Sequence, residues 1–318
     1  MDTAAPPIAA PGAPPLFGRT AVAMITPFTP DGALDPDGAQ RLATYLVDDG
    51  GCDGLVLSGT TGESPTTSDA EKETLLRAVV EAVGDRARIT AGVGTSDTRQ
   101  SVALARSAER AGAHGLLVVT PYYSRPTQES VAHHLSTVAD ATGLPVMLYD
   151  IPARTGLALT TQTLLRLSDH PRVAAVKDCG YDLLKSAKVL AATNLAYYAG
   201  CDEQILPLLA IGGTGCVTTT GNVAARAVRS VQDAYDAGAT GEAARRHLGL
   251  VPLFEADTSS DAPGSVTVKA LLNHLELPAG PVRGPLLDAG PELTTRLKEA
   301  LWTTLGRPAA ATAAAVPE

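Results

Sequence analysis

The chain is poor in aromatic side chains. Phe, Tyr and Trp make up 4% of its 318 residues, so its core has to be built from Ala, Val, Leu and Ile. Basic charge is also short, with 25 Lys and Arg against 34 Asp and Glu and a net charge of −9. That balance excludes nucleic acid and anionic membrane surfaces as natural partners, because both select a basic face. Cys-x-x-Cys pairs are missing. The four cysteines, Cys52, Cys179, Cys201 and Cys216, lie far apart and read as buried free thiols in a reducing compartment. The opening stretch, MDTAAPPIAAPGAPPLFGR, has neither a basic start nor a long apolar run. It is therefore neither a secretory signal nor a membrane span. An unstructured Ala/Pro-rich tail is expected over residues 1–16, and a second over 307–318. These absences point to a cytoplasmic protein.

What is present is a recurring alternation. Hydrophobic residues form 45% of the chain, enough for a large core, and they gather in eight short runs. Strands are expected at 21–26, 54–58, 88–93, 115–120, 145–149, 173–177, 196–199 and 215–218. Nearly all are continuously apolar, as in parallel strands covered on both faces. Helical stretches lie between them. Ser68 and Glu71 form a capping box, Asp97 caps a helix that stops at Gly112, and later stretches close on Gly or Pro. Eight serial βα units without a composition break predict an α/β fold, a closed (β/α)8 (TIM) barrel over residues 17–238. A doubly wound sheet is the alternative, but GVGTSD lacks the third glycine of a dinucleotide fingerprint. Two or three further helices over 239–306 read as a helical C-terminal extension.

Barrels of this kind carry their chemistry at the C-terminal ends of the strands. Here those ends present Thr60 and Thr61, Tyr122 and Tyr123, Tyr149 followed by Arg154, then Lys177, AGCDE and TTTGN. No metal-ligand cluster is among them, since His133 and His134 sit mid-helix and point in different directions. Lys177 closes the apolar run VAAV. Its bland reading is a lysine that reaches solvent or pairs with Asp178. The alternative is an amine whose pKa is lowered by burial, as a Schiff-base nucleophile requires. Thr60, Tyr149 and Tyr123 could relay protons for imine chemistry, although threonines also shape turns and tyrosines also pack with a hydrogen-bonded tip. Thr61 and nearby backbone N–H groups offer a carboxylate seat. Arg154 offers a second, by a bidentate pair.

The strings AMITPF, GTTGES, TPYYSRP, LYDIPARTG, VAAVKDC and YYAGCDE together resemble the dihydrodipicolinate synthase family, within the pyruvate-dependent class I aldolases. The similarity runs in order from about Phe17 to the C-terminal helices. It implies that Lys177 forms an imine with pyruvate and that the enamine attacks aspartate semialdehyde, giving hydroxytetrahydrodipicolinate. By the same resemblance Thr60, Tyr149 and Tyr123 form the proton relay, with Tyr123 reaching across a dimer interface. Thr61 meets the pyruvate carboxylate, Arg154 meets the semialdehyde carboxylate, and Gly200 and Val217 line the pocket. A homotetramer with no metal or organic cofactor is implied.

Two other readings stand beside it. One is a related lyase for another keto acid or sugar acid, which would often alter GTTGE or the Arg154 loop. The other is a pyruvate-binding protein without turnover, since fold alone does not decide function. The chain also departs from the family pattern. Cys201 stands where an acidic residue is common, TTTGNVAAR varies the usual turn, and Asp69 and Lys72 stand where lysine-regulated members often carry histidines. Weak or absent inhibition by lysine follows. Asp178 and Cys179 receive no role.

Overall fold

The computed structural model describes residues 15–257 and 262–306. Residues 1–14 and the whole of the second expected tail, 307–318, lie outside them. Eight strands occur where the apolar runs stand: β1 (Thr20–Ala23), β2 (Gly54–Leu57), β3 (Arg88–Gly92), β4 (Gly115–Val119), β5 (Val146–Asp150), β6 (Val173–Asp178), β7 (Ala196–Ala199) and β8 (Gly215–Thr218). They are parallel and close in chain order, β8 returning to β1 through the pairs Thr20–Cys216, Ala21–Val217 and Val22–Thr218. Pairing is buried on both faces, which is why the runs are continuous rather than alternating. β1 ends three residues short of expectation: Met24 still donates its N–H to the Val56 oxygen, and from Ile25, whose N–H turns to the Asn222 side chain, the chain leaves for the loop at the mouth. β2 stops before Ser58, whose φ of +53° turns the chain out of the sheet.

The helices that wrap the barrel are α1 (Pro36–Thr44), α2 (Asp69–Val83), α3 (Thr98–Arg110), α4 (Gln128–Ala139), the single turn α5 (Pro152–Thr155), α6 (Thr161–Ser168), α7 (Leu183–Ala192), α8 (Ile205–Ala210) and α9 (Gly221–Asp236). Ser68 and Glu71 do form a capping box at α2, and the Asp97 carboxylate accepts from the N–H of Arg99 at the start of α3. α3 stops at Gly112, whose φ of +89° suits a residue without a Cβ. In α4, His133 is exposed, whereas His134 is buried and bonds to the Thr98 hydroxyl at 2.8 Å. Three helices follow the barrel: α10 (Thr240–Asp257), α11 (Gly264–His274) and α12 (Pro291–Leu305). Among the described residues no helix is long and apolar enough to cross a membrane.

Two apolar layers result. One lies between sheet and helices; the other, inside the barrel, holds Phe17, Ala21, Ala23, Val56, Leu117, Met147, Tyr149, Ala175, Cys179, Tyr198 and Val217. Phe17 closes the bottom, its ring edge-on to Tyr198 at 6.2 Å. A Cβ on Gly54 would stand 2.3 Å from the Phe17 carbonyl oxygen, and one on Gly115 2.6 Å from its ring. With the bottom plugged, polar groups in the barrel can meet a ligand only at the opposite, C-terminal end.

Candidate active site

That end holds a cavity of about 260 Å³, lined by the β2 turn (Ser58–Thr60), Ser64, Pro65, Gly92, Gly94, Tyr122, Tyr149, Ile151, Arg154 and Thr155, over Leu117 and Val119. Tyr149 forms part of its floor. Lys177 lies one step further in, beside Tyr149 in the β5–β6 register, with Nζ 4.2 Å from the Tyr149 ring centroid. The lysine is 4% exposed, so it does not reach solvent. Nor does it pair with Asp178. That carboxylate belongs to a separate cluster, in which Lys185 of α7 lies 2.6 Å from Asp150 and 3.9 Å from Asp178. Asp178 also accepts from the Ser186 hydroxyl and the Gly180 N–H. It clamps the turn after β6 to α7, a role the sequence did not reveal.

Burial drives the Lys177 amine below its ordinary pKa; charge on Cys179, Cys201 and Asp202 opposes that shift. The cause is desolvation, which penalises the ammonium and favours the neutral amine. The same burial raises Tyr149, followed by charge on Cys179, while the Thr60 hydroxyl acts the other way. Tyr149 therefore remains a protonated phenol that can donate. A neutral amine next to a phenol and a hydroxyl is the donor–acceptor set for making and dehydrating a carbinolamine.

Gly200 explains how the lysine fits. A Cβ there would stand 2.5 Å from Cys179 Sγ, 2.9 Å from Lys177 Cγ and 3.0 Å from Lys177 Cε. Val217 is fully buried in the same interior layer. Thr61 is buried, and its hydroxyl lies 3.3 Å from that of Thr219. Asp202, also buried, accepts the backbone N–H groups of Thr219 and Thr220 at 3.2 and 2.8 Å, so the β7 and β8 turns are tied beneath the threonines. Arg154, on α5, is exposed at the cavity rim; its backbone N–H bonds to the Ile151 oxygen, but its guanidinium has no hydrogen bond or ion pair among the described residues.

Tyr123 is the exception. It is 96% exposed with a φ of +71°, and this chain does not bring it to its own Lys177. Its neighbour Tyr122 lines the cavity instead.

Sequence reading also passed over the brace beneath GTTGES. Glu63, at φ +53°, lies 2.7 Å from the Lys269 amine of α11, both side chains being 2% exposed. Its other oxygen accepts the Arg283 backbone N–H at 2.8 Å, while the Arg283 guanidinium bonds to Glu71, Gly32 and Thr66. Arg283 holds the Glu71 carboxyl down at about 2, chiefly through those hydrogen bonds. Lys269 and Arg283 both lie over the Phe28 ring, at 4.0 and 4.1 Å. Gly92 and Gly94 were missed too. A Cβ on the first would meet the Ser58 oxygen at 2.3 Å and on the second the Val119 nitrogen at 2.4 Å, so the GVG string serves close packing under the cavity.

A plugged eight-stranded barrel with a buried amine at the tip of its sixth strand, unpaired among the described residues, defines a class I aldolase-type lyase. Comparison with known proteins gives the family: residues 16–303 match the dihydrodipicolinate synthetase family, and the chain belongs to it. It is 63% identical over 281 residues to a 4-hydroxy-tetrahydrodipicolinate synthase of Streptomyces coelicolor, covering 88% of this chain and 92% of the relative. To the synthase of Acidothermus cellulolyticus it is 56% identical, with 90% and 92% covered. A dihydrodipicolinate synthase of Acinetobacter baumannii, solved with pyruvate, superposes with a TM-score of 0.86 at 30% identity, over 90% of this chain and 98% of that one.

Proposed function

We propose that the chain condenses pyruvate with L-aspartate 4-semialdehyde to 4-hydroxy-tetrahydrodipicolinate through a Schiff base on Lys177. The observation that carries this reading is the buried Lys177 amine beside Tyr149, unpaired among the described residues. The neutral amine attacks the keto carbon of pyruvate, whose carboxylate rests against Thr61 and neighbouring N–H groups. Tyr149, with the Thr60 hydroxyl on the same cavity wall, supplies the proton that lets water leave the carbinolamine. Loss of a methyl proton gives the enamine, which attacks the aldehyde carbon of the second substrate. Arg154, free at the rim, holds that substrate's carboxylate. Gly200 and Val217 shape the wall around the imine. Tyr123, standing off its own barrel, completes the relay in a second copy, and the working assembly is a homotetramer in the cytoplasm. The curated relatives named above favour this reaction over that of a lyase for another keto acid.

The test is to incubate the protein with pyruvate and borohydride, map the adduct by mass spectrometry, then ask which aldehydes discharge the enamine. A reduced pyruvyl group on Lys177, with turnover of aspartate semialdehyde, is the expected result. An unmodified Lys177 refutes the Schiff base. A modified Lys177 that ignores aspartate semialdehyde refutes only the second substrate.

A further inference from the structure

Two of the four cysteines stand at the catalytic lysine, and the reaction has no use for either. Cys179 follows Lys177 by two residues, faces the barrel interior and is 5% exposed. Its sulfur lies 4.0 Å from the Tyr149 hydroxyl, in the space that a Cβ on Gly200 would fill. Cys201, half-buried at the end of β7, packs against the same layer. Both thiols lie against that one interior layer, and each shifts the proton affinity of the other. Backbone register brings them together: β6 and β7 pair through Asp178 and Ala199, and the Gly200 N–H continues the ladder to the Asp178 oxygen at 2.9 Å. Cys179 therefore stands opposite Gly200, with Cys201 one residue further along. Strands about 4.8 Å apart with a rise of about 3.3 Å per residue put the two Cα atoms about 6 Å apart. That lies inside the span a disulfide can bridge, roughly 4.4–6.8 Å.

We propose that Cys179 and Cys201 form a redox-active dithiol that a hydroperoxide converts to a disulfide, disabling the lysine between them. The inference rests on Lys177 being the imine-forming amine. Cys201 attacks first, because it is the more accessible thiol and the neighbouring Cys179 holds it below the ordinary thiol range, whereas Cys179 is pushed up. The Cys201 thiolate takes one peroxide oxygen, breaking the O–O bond to give a sulfenic acid and hydroxide. The Cys179 thiol then displaces the sulfenic oxygen as water and forms the S–S bond. Two thiols lose two electrons and two protons, and hydrogen peroxide becomes two waters. Closing the sulfurs to about 2.05 Å shifts Cys179 Sγ from its place beside Gly200, where the stem of Lys177 also packs. Cys52 and Cys216 serve as internal controls. Both are buried, Cys52 is pushed up to about 12, and Cys216 accepts from the Gln232 amide at 3.2 Å.

The experiment treats the full chain with hydrogen peroxide, quenches with an alkylating agent and maps peptides without reduction. In parallel it measures the pyruvate–borohydride adduct on Lys177. The expected result is a Cys179–Cys201 linked peptide, at least a tenfold fall in adduct yield, recovery with dithiothreitol, and protection by prior loading with pyruvate. Cys201→Ser should form the adduct normally and resist peroxide. Sulfinic acid on Cys201 with no linked peptide, oxidation of Cys52 or Cys216 instead, or a linked peptide with unchanged adduct yield would each overturn the proposal. The mapping on the unmutated protein stands even where a variant fails to fold. Failure of the Schiff base itself is distinct, because adduct would then be missing before peroxide is added.

Discussion

Replacing Lys269 by Met should unsettle both stability and pyruvate binding, although the residue lies outside the cavity. Its amine is 2.7 Å from Glu63, with each side chain 2% exposed. At an effective dielectric near 20 the gross attraction of such a pair is about 6 kcal/mol, much of it offset by the desolvation of both charges. Deleting one partner strands a buried carboxylate, which costs roughly 3–5 kcal/mol. Glu63 sits two residues after Thr61, in a left-handed conformation that a non-glycine residue adopts only when its surroundings hold it there. A stranded Glu63 should therefore let the GTTGES loop relax, and KM for pyruvate should rise about tenfold while kcat changes less. Glu63→Gln combined with Lys269→Met leaves a neutral pair of similar size and should recover most of both losses. Urea unfolding and steady-state kinetics on the two single variants and the double variant form the assay. If the losses simply add in the double variant, the brace is not a coupled pair. If KM is unchanged while stability falls, it supports the fold but not the carboxylate seat.

Gly200→Ala should cost about 1–3 kcal/mol through overpacking and lower kcat/KM for pyruvate at least tenfold, since the Lys177 stem must move. A lower Tm with unchanged kcat/KM would contradict the packing seen at Cys179 and Lys177. Asp257, fully buried, has its carboxyl pushed up to about 8, first by burial and then by Asp202. The folded chain keeps that proton where the unfolded chain, near 3.8, has lost it, so stability falls as pH rises through about 4 to 8. Asp257→Asn should remove that fall and be the more stable protein at pH 9 by several kcal/mol; parallel denaturation profiles from pH 5 to 9 would refute it. Lysine at millimolar concentration should inhibit weakly or not at all. Lys72 and Asp69 stand where lysine-regulated members of the family often carry histidines, and the Lys72 amine is tied to the Thr67 oxygen, close to Asp69. Strong inhibition in a steady-state assay would show the reasoning wrong.

The order of strands and helices was legible because each apolar run is continuous and each helix start carries its own cap, as at Ser68 and Asp97. These are local properties, written within about ten residues. Lys177 was legible as well, as a charged residue closing an apolar strand, and the family strings singled out Thr60, Thr61, Tyr149 and Arg154 as its expected partners. Barrel closure then had only to bring successive strand ends to one mouth. Side chains that act across long separations could not be read this way. Glu63 meets Lys269, Asp150 and Asp178 meet Lys185, and Cys179 meets Cys201, each pair made by tertiary packing between elements far apart in the chain. The sequence by itself determined the barrel and the amine at its mouth, because period and capping are local. Only the tertiary structure decided how far that amine is buried, which glycine makes room for it and which charges stand near it, because burial and electrostatics depend on everything within a few ångströms, whatever its place in the chain.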